Sequence, residues 1–149
     1  CEFHPGEKPW GVKVDVVMPS AMQNDVHMEH AQKIAAAGVK YYIEVANMPT
    51  TNDALELLRK QPHMIVAPSK AVNAGGVAVS GLEMSQNSER LVWTAEEVDE
   101  KLKGIMAGIF KQCASAAAEY GDKPTNYVIG ANIAGFLKVA EAMMAQGIV

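Results

Sequence analysis

Three asparagines, Asn24, Asn47 and Asn73, fall at comparable places in the stretches PSAMQN, ANMPTT and PSKAVNAGG, each of which follows a short apolar run. A neutral amide donates and accepts at once, which suits a carboxamide, a ribose or a carboxylate better than a metal ion. Singly, asparagine and proline are ordinary loop formers; three in register at one sheet edge point to a site. The third stretch continues as KAVNAGGVAVSGLEMSQNSER, which has the alanine, leucine and methionine content of a helix but carries Gly75 and Gly76 near its start, then Ser80 and Gly81. Each glycine in a helix interior costs about 1 kcal/mol relative to alanine. The pair therefore implies either a bend between two short helices or a molecule that must approach this backbone closely.

Other residue types offer less. His27 and His30 are three apart on a helix, without a third ligand of the right type nearby, and read as surface histidines, so no metal site is expected. No serine sits in a nucleophile elbow, and no cysteine and histidine have the context of a thiol nucleophile. The acidic run AEEVDEK is the solvated face of a capped helix, and the methionines, several of them in the final helix, are packing rather than a cofactor box. A complete dinucleotide fold needs a G-x-G-x-x-G turn after its first strand and an acidic residue about 20 positions on. Gly75, Gly76 and Gly81 have the wrong spacing and follow the last strand.

The elements that must position these residues follow from periodicity and punctuation. Val12 to Met18 is a β-branched run ended by Pro19, and a helix is expected from about Val26 to Ala37, closed by Gly38. Val39 to Val45 repeats the strand pattern, and Asn52 to Lys60 has helical spacing behind a threonine cap. Met64 to Ala67 is a third strand, ended by Pro68. Strands alternating with helices imply right-handed crossovers and a parallel sheet. From Trp93 the pattern is helical throughout. Thr94 and Glu97 form a capping box inside a Trp93/Val98 staple, the apolar stripe runs from Val98 through Cys113 to Tyr120, and Gly121 ends it. A last helix from about Asn126 to Gln146 puts Ile129, Ile133, Phe136, Ala140 and Met143 on one face, with Gly130, Ala134 and Gly135 beside it for close backbone approach.

The 149 residues, 49% hydrophobic and 20% charged, have the composition of an ordinary soluble globular domain. A net charge of -4 without a Lys/Arg stripe argues against nucleic acid or an anionic membrane surface as partner. No apolar run of membrane-spanning length is expected, CEFHPGEKPW lacks the regions of a signal peptide, and the expected location is cytoplasmic. Of the two cysteines, Cys1 and Cys113, neither suggests a disulfide; Cys113 reads as a buried thiol.

YYIEVANMPTT, APSKAVNAGGVAVSGLEMSQNSER, WTAEEVDEKL and NYVIGANIAGFLKVAEAMMAQG together resemble the C-terminal part of the hexameric, NAD(P)-dependent glutamate dehydrogenases of bacteria and lower eukaryotes, within the Glu/Leu/Phe/Val dehydrogenase family. The resemblance runs from PGEKPWG to the end. It implies an α/β fold in which residues 1–69 are the three-stranded second half of a Rossmann-like sheet and residues 70–149 a helical C-terminal part, together a partial cofactor-binding domain. It further implies that Ala21, Met22, Asn47 and Asn73 contact the cofactor, NADP or NAD with NADP taken first, and that Val77 and Ser80 contact substrate. Ser80 would hydrogen-bond the side-chain carboxylate of glutamate. Met22 stands where the family usually has threonine, so its backbone is left to make the contact. The proton-handling lysine and aspartate of the family are not on this chain, which implies a parent homohexamer interconverting glutamate with 2-oxoglutarate and ammonia, and a chain inactive by itself. The other readings are a non-catalytic dinucleotide-binding or interaction module, and a dehydrogenase for an apolar amino acid. Ser80 argues against the latter, since a hydroxyl left unpaired against hydrocarbon costs roughly 1 to 3 kcal/mol.

Overall fold

The structure, a computed structural model, describes residues 3–147; Cys1 lies outside the described residues. Two compact units divide the chain, residues 1–66 and 67–149.

In the first unit a short 3-10 turn at Pro9–Gly11 precedes strand β1 (Val16–Val17), helix α1 (Met28–Ala36), β2 (Tyr41–Ile43), α2 (Asn52–Arg59) and β3 (Ile65–Ala67), which leads out of the unit. The sheet order is β1-β2-β3. β1 and β2 run parallel with Val16 opposite Tyr41 and Val17 opposite Tyr42, as a helical crossover between them requires. Ile34 of α1 and Leu58 of α2 are fully buried with Val26, Val39 and Tyr42; each aliphatic side chain removed from water contributes about 1.5 to 3 kcal/mol. Gly38 takes a left-handed φ of +75° just past α1, where an L side chain would be strained.

The strands are shorter than the sequence pattern suggests. The run Val12 to Met18 contributes only Val16 and Val17 to the ladder, because β1 is an edge strand with β2 on one side only. Val12, Val14, Val16 and Met18 are exposed while Val17 between them is buried.

The second unit is helical: α3 (Ser69–Val72), α4 (Ala74–Glu89), α5 (Ala95–Tyr120) and α6 (Tyr127–Gln146). The stretch Lys70 to Arg90 is helical with a break, and the break falls at Asn73 rather than at the glycines. α5 begins as its sequence dictates. The Thr94 hydroxyl accepts from the Glu97 N–H at 3.2 Å and the Glu97 carboxylate accepts from the Thr94 N–H at 2.7 Å. Trp93 is half-buried, with the Lys101 ammonium 5.0 Å from its ring centroid. Gly121 ends α5 as expected, in extended backbone with φ -85°.

α5 and α6 meet at Gly130, where a Cβ would lie 2.1 Å from the Cys113 carbonyl oxygen and 2.9 Å from the Ala117 Cβ. Only hydrogen fits there. Gly135 has nothing within 4 Å of such a position, so it is not a contact glycine. The apolar stripes extend beyond what they bury. Tyr120 on α5, and Phe136, Val139, Met143 and Met144 on the far half of α6, are exposed. Contrary to the sequence expectation, α6 is long and apolar enough to cross a membrane by length and composition. Its only charged residues are Lys138 and Glu141.

Candidate functional site

The loops after β1 and β2 leave the same end of the parallel pair, and backbone bonds latch them together. Pro19 carbonyl accepts from the Val45 and Ala46 N–H groups at 3.2 and 2.9 Å. Asn24 N–H donates to the Met48 carbonyl at 3.0 Å, Val26 N–H to Pro49 at 2.9 Å, and Thr51 N–H to Val26 at 3.0 Å, closing a parallel bridge between Val26 and Thr50. Pro19 and Pro49 are fully buried. Beneath them the Tyr42 and Thr50 hydroxyls lie 2.7 Å apart, both buried. Burial pushes the Tyr42 phenol well above its usual range; the Thr50 bond opposes this in part, while Glu44 and Asp25 add to it. The phenol stays protonated and the latch is neutral.

On this base Ala21, Met22 and Asn47 are all exposed at the loop tips. Two loop tips held by a buried hydrogen-bonded frame can meet a ligand with little ordering cost. The Tyr42–Thr50 pair was not singled out from the sequence. Its only signal is a tyrosine in the strand and a threonine after Pro49, and their pairing depends on how the chain turns at the proline.

In the second unit Asn73 caps α4 from a bridge-like conformation, φ -85° and ψ 0°, and its side chain makes no capping bond. Gly75, Ala78, Val79, Leu82 and Gln86 form the partly covered side of α4. A Cβ on Gly75 would lie 3.4 Å from the Met106 sulfur and 3.5 Å from Leu102 Cδ1 of α5. The opposite side is open: Val77 is 74% exposed and Met84 70%, and nothing lies within 4 Å of a Cβ position on Gly76 or Gly81. Asn73, Val77 and Ser80 stand at i, i+4 and i+7, which is one helical face. Ser80 Oγ donates to the Gly76 carbonyl at 3.3 Å, a long bond back onto its own helix.

The structure thus places the six residues in two groups, Ala21, Met22 and Asn47 on the latched loops of the first unit, and Asn73, Val77 and Ser80 along α4 of the second. Of the remaining asparagines, Asn24 serves the latch through its N–H and its left-handed φ of 54°. His27 and His30 are spent on the start of α1, where His30 Nδ1 accepts from the His27 N–H at 3.1 Å. Among the described residues no group of three or more His, Cys, Asp or Glu is placed to hold a metal ion.

The chain is 68% identical over 147 residues to the NAD-specific glutamate dehydrogenase of Clostridium symbiosum, which covers 99% of this chain and 32% of that protein. It is 53% identical over 150 aligned positions to the NADP-specific glutamate dehydrogenase of Giardia intestinalis, covering 99% of this chain and 33% of that protein. A solved glutamate dehydrogenase structure superposes with a TM-score of 0.94 at 68% identity, over 99% of this chain and 33% of the other. The chain spans about a third of the length of these relatives. Residues 1–147 match the family model described as Glutamate/Leucine/Phenylalanine/Valine dehydrogenase, and the chain belongs to that family.

Proposed function

We propose that the chain is part of a glutamate dehydrogenase, an enzyme that interconverts L-glutamate with 2-oxoglutarate and ammonia using NADP or NAD, and that it supplies contacts to nicotinamide and substrate rather than the groups that move protons. The observation that carries this reading is the open stripe Asn73, Val77 and Ser80 on α4, flanked by the bare backbone of Gly76 and Gly81. Hydride transfer needs the nicotinamide carbon and the substrate α-carbon within about 3 to 3.5 Å, so protein backbone must approach both. Glycines with open space beside them permit this, and the first turn of α4 favours an anionic ligand. The Asn73 amide, free of capping, suits the carboxamide. Val77 lies against the substrate's methylene groups, and Ser80 exchanges its long bond to Gly76 for the side-chain carboxylate.

Ala21, the Met22 backbone and Asn47 serve the cofactor on the latched loops, and the three-stranded sheet is half of a Rossmann-like sheet. The G-x-G-x-x-G turn that would hold the pyrophosphate is absent from this sequence. NADP is kept first of the two dinucleotides, with the NAD-specific relative at 68% identity as the reason to assay both. A homohexameric parent and a cytoplasmic location complete the reading.

The test is to assay the complete subunit carrying these residues, and the 149-residue chain alone, for glutamate oxidation with each cofactor. The complete subunit should turn over and the isolated chain should not. Turnover by the isolated chain at the rate of the complete enzyme would overturn the reading, and so would a complete enzyme that prefers leucine, valine or phenylalanine. Micromolar dinucleotide binding by the isolated chain, read by nicotinamide fluorescence, would instead favour a self-sufficient binding module.

A further inference from the structure

The open face of α4 does not stop at Ser80. Met84 stands at i+11 from Asn73, i+7 from Val77 and i+4 from Ser80, so it continues the same stripe one turn further, about 6 Å along the axis. It is 70% exposed, on the side opposite Gly75 and Leu82. Its neighbour on the stripe's flank, Gly81, has no atom within 4 Å of where a Cβ would be. Long side chains in a helix point back toward the N-terminus and cover the preceding turn. A methionine at 84 therefore reaches over the turn that holds Ser80, and Gly81 leaves it room to do so. Ser85 and Ser88 turn their hydroxyls onto the carbonyls of Gly81 and Met84, so neither adds a polar group to the path.

We propose that Met84 is a specificity-determining residue: its thioether closes the end of the substrate pocket beyond Ser80 and sets the length of dicarboxylic amino acid that fits. This rests on the reading of Val77 and Ser80 as substrate contacts. A flexible unbranched side chain walls off space without offering a hydrogen bond, so it excludes a longer substrate by volume and leaves the carboxylate to Ser80.

The experiment compares kcat/KM for L-glutamate with that for L-2-aminoadipate, one methylene longer, in the complete subunit. A methylene accommodated or refused is worth roughly tenfold or more. Met84→Ala is expected to raise the aminoadipate-to-glutamate ratio by about tenfold, and Met84→Phe to lower it. Both substitutions fall on an exposed helix position, and either one decides the matter if the other does not fold. A ratio unchanged within about twofold in a variant that still oxidises glutamate overturns the proposal. Loss of glutamate oxidation in the unsubstituted subunit would be a failure of the functional reading instead, and is distinguished by that control.

Discussion

Asn24 and Met48 are joined by a 3.0 Å bond from N–H to carbonyl, and both hold left-handed backbone, φ 54° and 48°. Two non-glycine residues in this region at one bond mark the point where the loops after β1 and β2 are bent to meet. A left-handed residue with a side chain costs about 1 to 2 kcal/mol, and the buried Pro19, Pro49 and Thr50 beneath hold it in place. Met48→Gly should leave stability within about 1 kcal/mol, since relief of that cost is offset by the freedom glycine has when unfolded. Met48→Val should lower it by about 1 to 3 kcal/mol. Urea denaturation of the two variants checks this, and equal stabilities would count against a latch under strain.

The helix pair gives a sharper contrast. Gly130→Ala places a methyl group 2.1 Å from the Cys113 carbonyl, and overpacking of this kind costs about 1 to 3 kcal/mol. Gly135→Ala, one turn away in open space, should gain up to about 1 kcal/mol from helix propensity. Thermal melts should therefore move in opposite directions.

The start of α5 is sensitive to acid. Thr94→Ala removes the cap and should cost about 1 kcal/mol. Glu97 is held below its usual range first by the Thr94 N–H and then by the Thr94 hydroxyl. Its contribution is therefore present above the ordinary glutamate value of 4.5 and is lost as pH falls through the lowered one. In Glu97→Gln that part of the acid dependence should disappear, and an unchanged melting profile between pH about 5 and 3 would contradict it.

Ser80 should separate substrates. A hydrogen bond to a charged group is worth about 1.5 to 3 kcal/mol, so Ser80→Ala in the complete subunit should lower kcat/KM for glutamate by roughly 10- to 100-fold. The loss for norvaline, which has no side-chain carboxylate, should be far smaller. Equal losses for both would remove Ser80 from the substrate.

β1 offers an unpaired edge with Val12, Val14, Val16 and Met18 exposed along it. Exposed apolar edges invite pairing with another chain. The isolated chain should self-associate in light scattering, and Val14→Lys should reduce this. A dilution-insensitive monomer would show that the edge is protected.

What the sequence made legible was whatever is local. The Thr94/Glu97 box, the glycine beyond α1 and the start of the last helix at Asn126 depend on neighbours a few residues apart, and they stand where the pattern put them. What it hid depends on neighbours distant in the chain. The extent of β1 depends on what lies beside it, which is why seven β-branched-rich positions yield the two-residue strand Val16–Val17. The exposure of Phe136 and Met143 could not be read from a stripe that looks like core. The site showed the same division. Val77 and Ser80 share a face by spacing alone, whereas the Tyr42–Thr50 support for Asn47 emerges only when Pro49 is folded under the loop.

The fit of Gly130 against the Cys113 carbonyl has a practical corollary. The Cys113 thiol is largely buried and its acidity is suppressed by that burial, so its reaction with a thiol reagent reports how far the helices around it open. With Cys1 changed to serine, Cys113 is the sole sulfhydryl in the sequence. Its labelling rate then becomes an internal clock for helix opening, readable in the chain alone.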